Sequence, residues 1–231
     1  MASIPNHLFV EGVDDRAFVD SILRQHGFSK SRLAIEGKFA VESRGRCLQI
    51  HVCGGFDKIA PKLKEEYRPD EMDAIAIVAD MDAHSEHRWQ SIAGTLARAE
   101  FDYQGLPGAL PSEGLVHRQP GSPTLGVWLM PDNVSEGMTE TFAGRLLPAD
   151  EPAWIHATDV VRTLPDSVRK FRADRDHEKA LLHTWLAWQE EPGCRTGAAV
   201  TKRFLLADTE PAFRFMGWIN RWLDLGADKS Q

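Results

Sequence analysis

Six apolar residues in unbroken succession, Ala74-Ile75-Ala76-Ile77-Val78-Ala79, run directly into Asp80-Met81-Asp82. A strand with one wet face alternates apolar and polar side chains, whereas an uninterrupted run suits a strand covered on both faces. Strands of that kind belong to parallel sheets flanked by helices, so this stretch constrains the fold more than any other. Its end is equally informative. Two carboxylates, one residue apart, stand where the strand leaves the core, and the chain then turns polar through Ala83, His84, Ser85 and Glu86. Burying either acid without a partner is costly, and a hard divalent cation is a natural partner for both.

A second acid occupies a similar place. His7-Leu8-Phe9-Val10 is a short, mostly apolar strand that ends in Glu11-Gly12. Between the two sites, helical spacing of Phe18, Ile22 and Leu23 predicts a helix from Asp14 to about His26, with Gly27 as its stop signal. Leu33-Ala34-Ile35, Phe39-Ala40-Val41 and Leu48-Gln49-Ile50-His51-Val52 are strand candidates, the last two joined by a polar turn at Ser43-Arg44-Gly45-Arg46. Gly54-Gly55 precedes a helix from about Phe56 to Glu66, and a further helix runs from His87 to about Ala99. The alternation of strands and helices indicates an α/β fold with a mostly parallel sheet. Ligands of such sheets gather at the carboxyl ends of the strands, where Glu11, Asp80 and Asp82 all fall.

Residues 104–123 are rich in Gly and Pro and read as a long irregular connection. Thr124 to Met130 is another strand, followed by Pro131-Asp132-Asn133, Gly137 and a short helix starting near Thr139. From about Glu151 the pattern becomes helical. His177–Gln189 and Glu210–Leu225 are amphipathic and rich in tryptophan. The organisation expected is an α/β core over residues 1–148 and a helical region over 149–231 packed on it.

Bulk properties exclude some classes. A net charge of −7 argues against a protein that wraps nucleic acid through overall positive charge, though a bound metal and a local basic patch supply the same field. No stretch reaches the ~18 apolar residues of a membrane span, and the first residues carry no basic, apolar leader pattern. Three cysteines, an odd number without zinc-site spacing, fit free thiols in a reducing cytoplasm.

Glu11-Gly12-x-Asp14-Asp15 after the first strand, with Asp80-x-Asp82 after a later one, resembles the Toprim domain of topoisomerases, bacterial primases and overcoming-lysogenization-defect nucleases. The whole chain is similar to stand-alone bacterial Toprim-like proteins. Gly126 to Asn133 leading to Gly137 and Glu140, Glu178-Lys179-Ala180, Trp185-Leu186-Ala187 and Pro192-Gly193 look typical of that group. The resemblance implies a Toprim-like fold in which Glu11 is a metal ligand or acid–base residue and Asp80 and Asp82 carry Mg2+ (or Mn2+). It implies Asp15, rather than the adjacent Asp14, as a further acid, Glu140 as a later acidic ligand and Lys179 as a catalytic lysine. The chain carries only Tyr67 and Tyr103, neither in the context of a topoisomerase nucleophile, and lacks zinc-binding and ATPase segments. That favours a nuclease-like or accessory role.

Several other features have two readings. Asp82, ahead of a helix, also suits an N-cap. Gly12 suits a tight turn, and Gly54-Gly55 a bare turn more than a phosphate cradle. His84, His87, His177 and His183 read as surface residues, His84 being the one to test as a substrate contact. The basic run of Arg162, Arg169, Lys170, Arg172 and Arg175, with Lys202-Arg203, either tracks a phosphate backbone or is a solvated face, since Asp166, Asp174 and Asp176 are interspersed. Trp154, Trp185, Trp188, Trp218 and Trp222 suit packing better than base stacking. The leading expectation is a cytoplasmic, magnesium-dependent phosphodiesterase or nuclease acting on DNA or RNA. The alternatives are a non-catalytic nucleic-acid or partner-binding module and a small-molecule phosphotransferase. An Asp-x-Asp at a strand end also resembles haloacid-dehalogenase phosphatases, but there it follows the first strand.

Overall fold

The computed structural model describes residues 4–31, 39–83 and 85–225. The Leu33–Ile35 strand candidate and His84 lie outside the described residues.

In chain order the elements are β1 (Asn6–Val10), α1 (Val13–Gln25), β2 (Ser29–Lys30), β3 (Phe39–Ser43), β4 (Arg46–Val52), α2 (Ile59–Glu66), β5 (Ala74–Asp80), α3 (Ser85–Leu96), β6 (Leu115–His117), β7 (Thr124–Met130), α4 (Thr139–Gly144), α5 (Pro152–Thr163), α6 (His177–Leu186), α7 (Thr196–Thr201) and α8 (Glu210–Trp222). The strands form one sheet in the order β2-β3-β4-β1-β5-β7-β6. The central four, β4, β1, β5 and β7, are mutually parallel, and antiparallel strands extend both edges. The fold class is therefore α/β, with a mostly parallel sheet flanked by helices.

The apolar runs explain this order. In β5 every residue from Ala74 to Ala79 is buried, and alternate side chains feed two different cores. Ala74, Ala76 and Val78 join Leu8, Val10, Trp128 and Met130 beneath α1 and α4 to α8. Ile75, Ile77 and Ala79 join Phe9, Val127 and Leu129 beneath α2 and α3. A strand clad on both faces has no wet side, and this is why its sequence does not alternate. The helices from Glu151 onward share the first of these cores with α1 and the sheet.

Helix α8 packs its tryptophans closely against the sheet. Trp218 and Trp222 are buried, their rings stacked with centroids 6.0 Å apart. Trp218 donates its indole N–H to the Leu115 carbonyl at 2.8 Å, and Trp222 to that of Thr124 at 3.2 Å. Gly126 beneath them has no room for a side chain: a Cβ there would lie 2.9 Å from the Trp222 ring and 3.0 Å from Ala76 Cβ. Truncating either indole to alanine costs about 3–5 kcal/mol. Trp185 is likewise buried, so the packing reading of these three residues holds, whereas Trp188 is largely exposed.

The irregular connection over 104–123 contains β6, which the sequence reading missed. Three residues, antiparallel to β7 from Leu115↔Val127 to His117↔Leu125, are too few for a local pattern. They are held from outside, by β7 and the Trp218 indole. Among the described residues no helix is long and apolar enough to cross a membrane, and the three cysteines are free thiols.

Candidate functional site

β1 and β5 are adjacent and parallel, with Val10 beside Val78, so their carboxyl ends open at the same rim. Glu11 and Asp80 meet there: the Asp80 backbone N–H donates to Glu11 Oε1 at 2.9 Å. The backbone of Glu11 is itself clamped. Its carbonyl accepts the N–H groups of Gly54 and Gly55 at 2.7 and 3.0 Å. The glycine pair thus anchors the first acid, a role neither earlier reading assigned. Gly12, read from the sequence as a tight turn, is the residue that leads into α1. Its backbone is extended (φ −127°), and its N–H donates to Asp15 Oδ2 at 2.8 Å, which turns the Asp15 carboxylate back over the start of α1.

The third approach comes from α4. Thr139 donates its backbone N–H to Asp80 Oδ1 at 2.8 Å. Its buried hydroxyl lies 2.8 Å from Asp15 Oδ1 and 3.1 Å from Asp80 Oδ1. One hydroxyl carries one proton, so it satisfies only one of the two carboxylates at a time. Next to it, Glu140 meets Lys179 of α6 at 3.4 Å. The structure thus gathers Glu11, Asp15, Asp80, Glu140 and Lys179 at one rim. Asp14 is exposed on α1.

Asp82 is held differently. It has a left-handed backbone (φ 54°) and pairs with Gly137 in both directions, at 2.8 Å and 3.1 Å. Gly137 adopts φ 137°, and a Cβ there would stand 2.7 Å from Thr141 Oγ1, so only glycine fits without strain. The Asp82 carboxylate does not join the other acids directly. It is ion-paired with Arg88 of α3, whose guanidinium lies 3.9 Å above the Phe56 ring. The Asp82 N-cap reading is replaced by this ion pair.

The electrostatics follow from the crowding. Burial, with Asp15, Glu11 and Glu140 close by, pushes the Asp80 carboxyl up to about 8, against the Thr139 N–H that favours its ionised form. Burial also raises Glu11, opposed by the Asp80 N–H and by the charge of Arg88. Burial opposes the Lys179 charge, but Glu140, and beyond it Asp80 and Asp15, hold the ammonium firmly protonated. The rim is short of positive charge.

All five carboxylates offer hard oxygen ligands, which suits Mg2+ or Mn2+ in chemistry. In the arrangement seen, no group of three or more His, Cys, Asp or Glu side chains among the described residues is set to hold an ion. Ligation therefore requires side-chain rotation, above all at Asp82.

A cleft of about 480 Å3 opens beside Asp82, walled by Gly137, Met138, Arg172, Arg175 and His177. Six basic side chains of the C-terminal region are matched with acids. Arg162 pairs with Asp159, Arg169 with Asp166, Arg172 with Asp174, Arg175 with Asp176, Lys202 with Glu191 and Arg203 with Asp208. That is a mixed-charge face rather than a basic stripe. His87 and His183 are exposed, and His177 is half-buried.

Sequence reasoning missed Thr139 and Arg88. Thr139 is signalled only by its place beside Glu140 at a helix start, and Arg88 only by its position in the helix that follows Asp80-Met81-Asp82.

Comparisons with known proteins agree with this fold. Hypothetical protein PH0156 from Pyrococcus horikoshii OT3 is similar in structure, with a TM-score of 0.56 and 14% sequence identity over 95% of this chain and 98% of that one. At that identity the likeness concerns the fold alone. No curated protein matches the chain. The profile of the family described as "Protein of unknown function (DUF3226)" matches residues 5–224, nearly the whole length. The chain belongs to that family.

Proposed function

We propose that this chain is a Toprim-like, divalent-cation-dependent phosphodiesterase that cleaves DNA or RNA. One observation carries the reading: carboxylates from three separate elements converge at a strand-end rim, where burial, together with crowding by other acids, raises Asp80 to about 8. Such perturbed groups mark functional sites more often than structural ones. Glu11, Asp15, Asp80 and Asp82, with Glu140 at the margin, are the residues that would hold Mg2+ or Mn2+, and the ion supplies the Lewis acidity that phosphodiester hydrolysis needs. Glu11, fixed by the Gly54 and Gly55 N–H groups, is also placed to manage a proton. Lys179, kept protonated by Glu140, neutralises charge that builds on the phosphate. The Asp82 cleft admits the polynucleotide.

The test is cleavage of labelled single- and double-stranded DNA and RNA with Mg2+ or Mn2+, comparing wild type with Asp80→Ala. The expected loss is at least about 10²-fold in kcat/KM. Equal activity in the two proteins rejects the site.

A second reading is a non-catalytic module that binds nucleic acid or a partner, and the tie between Asp82 and Arg88 favours it. Calorimetry separates the two: Mg2+ binding without turnover supports the module.

A further inference from the structure

We propose that Arg88 is an internal counter-ion at this rim: it competes with the divalent cation for Asp82 and, once displaced, binds a phosphate of the substrate. The inference rests on the metal-site reading above. Two independent contacts place the guanidinium. Its charge pairs with the Asp82 carboxylate, and its plane lies 3.9 Å over the Phe56 ring. Phe56 starts the helical turn immediately after Gly54-Gly55, the pair that clamps Glu11. Arg88 therefore links Asp82 to the segment that clamps the Glu11 backbone.

A rim short of positive charge draws in the nearest cation, and Arg88 is the one that holds Asp82. A divalent ion that recruits Asp82 must take it from Arg88. The stacking contact does not involve the carboxylate, so the guanidinium stays anchored on Phe56 after Asp82 leaves. Its donors then face the site without an acceptor, in the planar fork that suits a phosphate. A single residue thus opposes the metal and favours the anion. A purely structural arginine supports both or neither.

Opposite signs make the test. Mg2+ is titrated calorimetrically into wild type, Arg88→Ala and Arg88→Lys. A fluorescein-labelled oligonucleotide is then titrated in Ca2+, which takes the same class of oxygen ligands. Arg88→Ala is expected to bind Mg2+ about two- to fivefold tighter, the factor set by loss of a partly exposed ion pair. It is expected to bind the oligonucleotide about tenfold more weakly. Arg88→Lys keeps the charge without the flat fork, so its Mg2+ affinity stays near wild type while oligonucleotide binding still falls. Phe56→Leu, which removes the stacking surface and leaves the ion pair, weakens oligonucleotide binding and checks the result should Arg88→Ala fold poorly. If wild type binds Mg2+ and neither Arg88→Ala nor Phe56→Leu shifts either affinity as stated, the counter-ion role is overturned and the metal site stands. If wild type binds no divalent cation, both fall.

Discussion

Asp80 and Asp132 stand at the carboxyl ends of neighbouring strands, one as the last residue of β5 and the other two residues beyond β7. Their surroundings are opposite. Burial works against ionisation of Asp132, but the N–H groups of Ser135 and Val134, the Ser135 hydroxyl and the Arg145 guanidinium all donate to it and bring it down to about 2. Asp80 is buried with one backbone N–H and one shared hydroxyl as donors, other carboxylates crowd it, and it rises to about 8. The same residue type at the same sheet edge is in one case a finished structural joint and in the other a group left unsatisfied. An acid with a full set of donors is held ionised, whereas a buried acid surrounded by acids holds on to its proton.

The comparison can be broken in three ways. The largest effect is expected at the satisfied acid. Asp132→Ala strands the Arg145 charge and three donors, and urea unfolding should record a loss of about 2–4 kcal/mol. The crowded acid should give the opposite sign. Asp80→Asn keeps an oxygen for the Thr139 N–H and removes the repelling charge, so in EDTA at pH 8 the variant should be more stable than wild type by on the order of 2 kcal/mol. That gain should vanish only below about pH 4, where the acid is protonated in the folded and the unfolded chain alike. In metal-free wild type, a raised carboxyl means that the folded state holds a proton the unfolded chain has lost. Stability from this group is present at low pH and declines as pH climbs from about 4 to 8. For Asp132 the stabilisation is present above the ordinary carboxylate range and is lost as pH falls towards 2. A pH series in which Asp80→Asn leaves the alkaline decline unchanged would remove the distinction between the two acids. The smallest effect is at the shared donor: Thr139→Val should cost about 1 kcal/mol by thermal melting, and Thr139→Ser should restore most of it.

Much of this architecture was legible because burial leaves a periodic trace. The run in β5 is apolar from Ala74 to Ala79, and β1 and β7 are mostly apolar, because both faces are covered, and the acids at their ends stand out against that background. Thr139 leaves no such trace. Its importance comes from meeting Asp80 and Asp15, which are 59 and 124 positions away in sequence. Arg88 was hidden for the same reason, since an arginine in the first turns of a helix is ordinary until its neighbours are known. β6 was invisible because an edge strand of three residues is specified by the surface it lies against. The basic run was ambiguous in sequence and became plainer once its arginines were seen paired with neighbouring acids.

The double backbone pairing of Asp82 with Gly137 has a kinetic consequence. Both main-chain polar groups of Asp82 are committed to Gly137. The peptide frame there stays put, and a change of partner by the carboxylate is carried by rotation about its own side-chain bonds. Such rotations take picoseconds to nanoseconds at accessible positions. If Asp82 exchanges Arg88 for a metal ion as proposed, that exchange would require no loop opening.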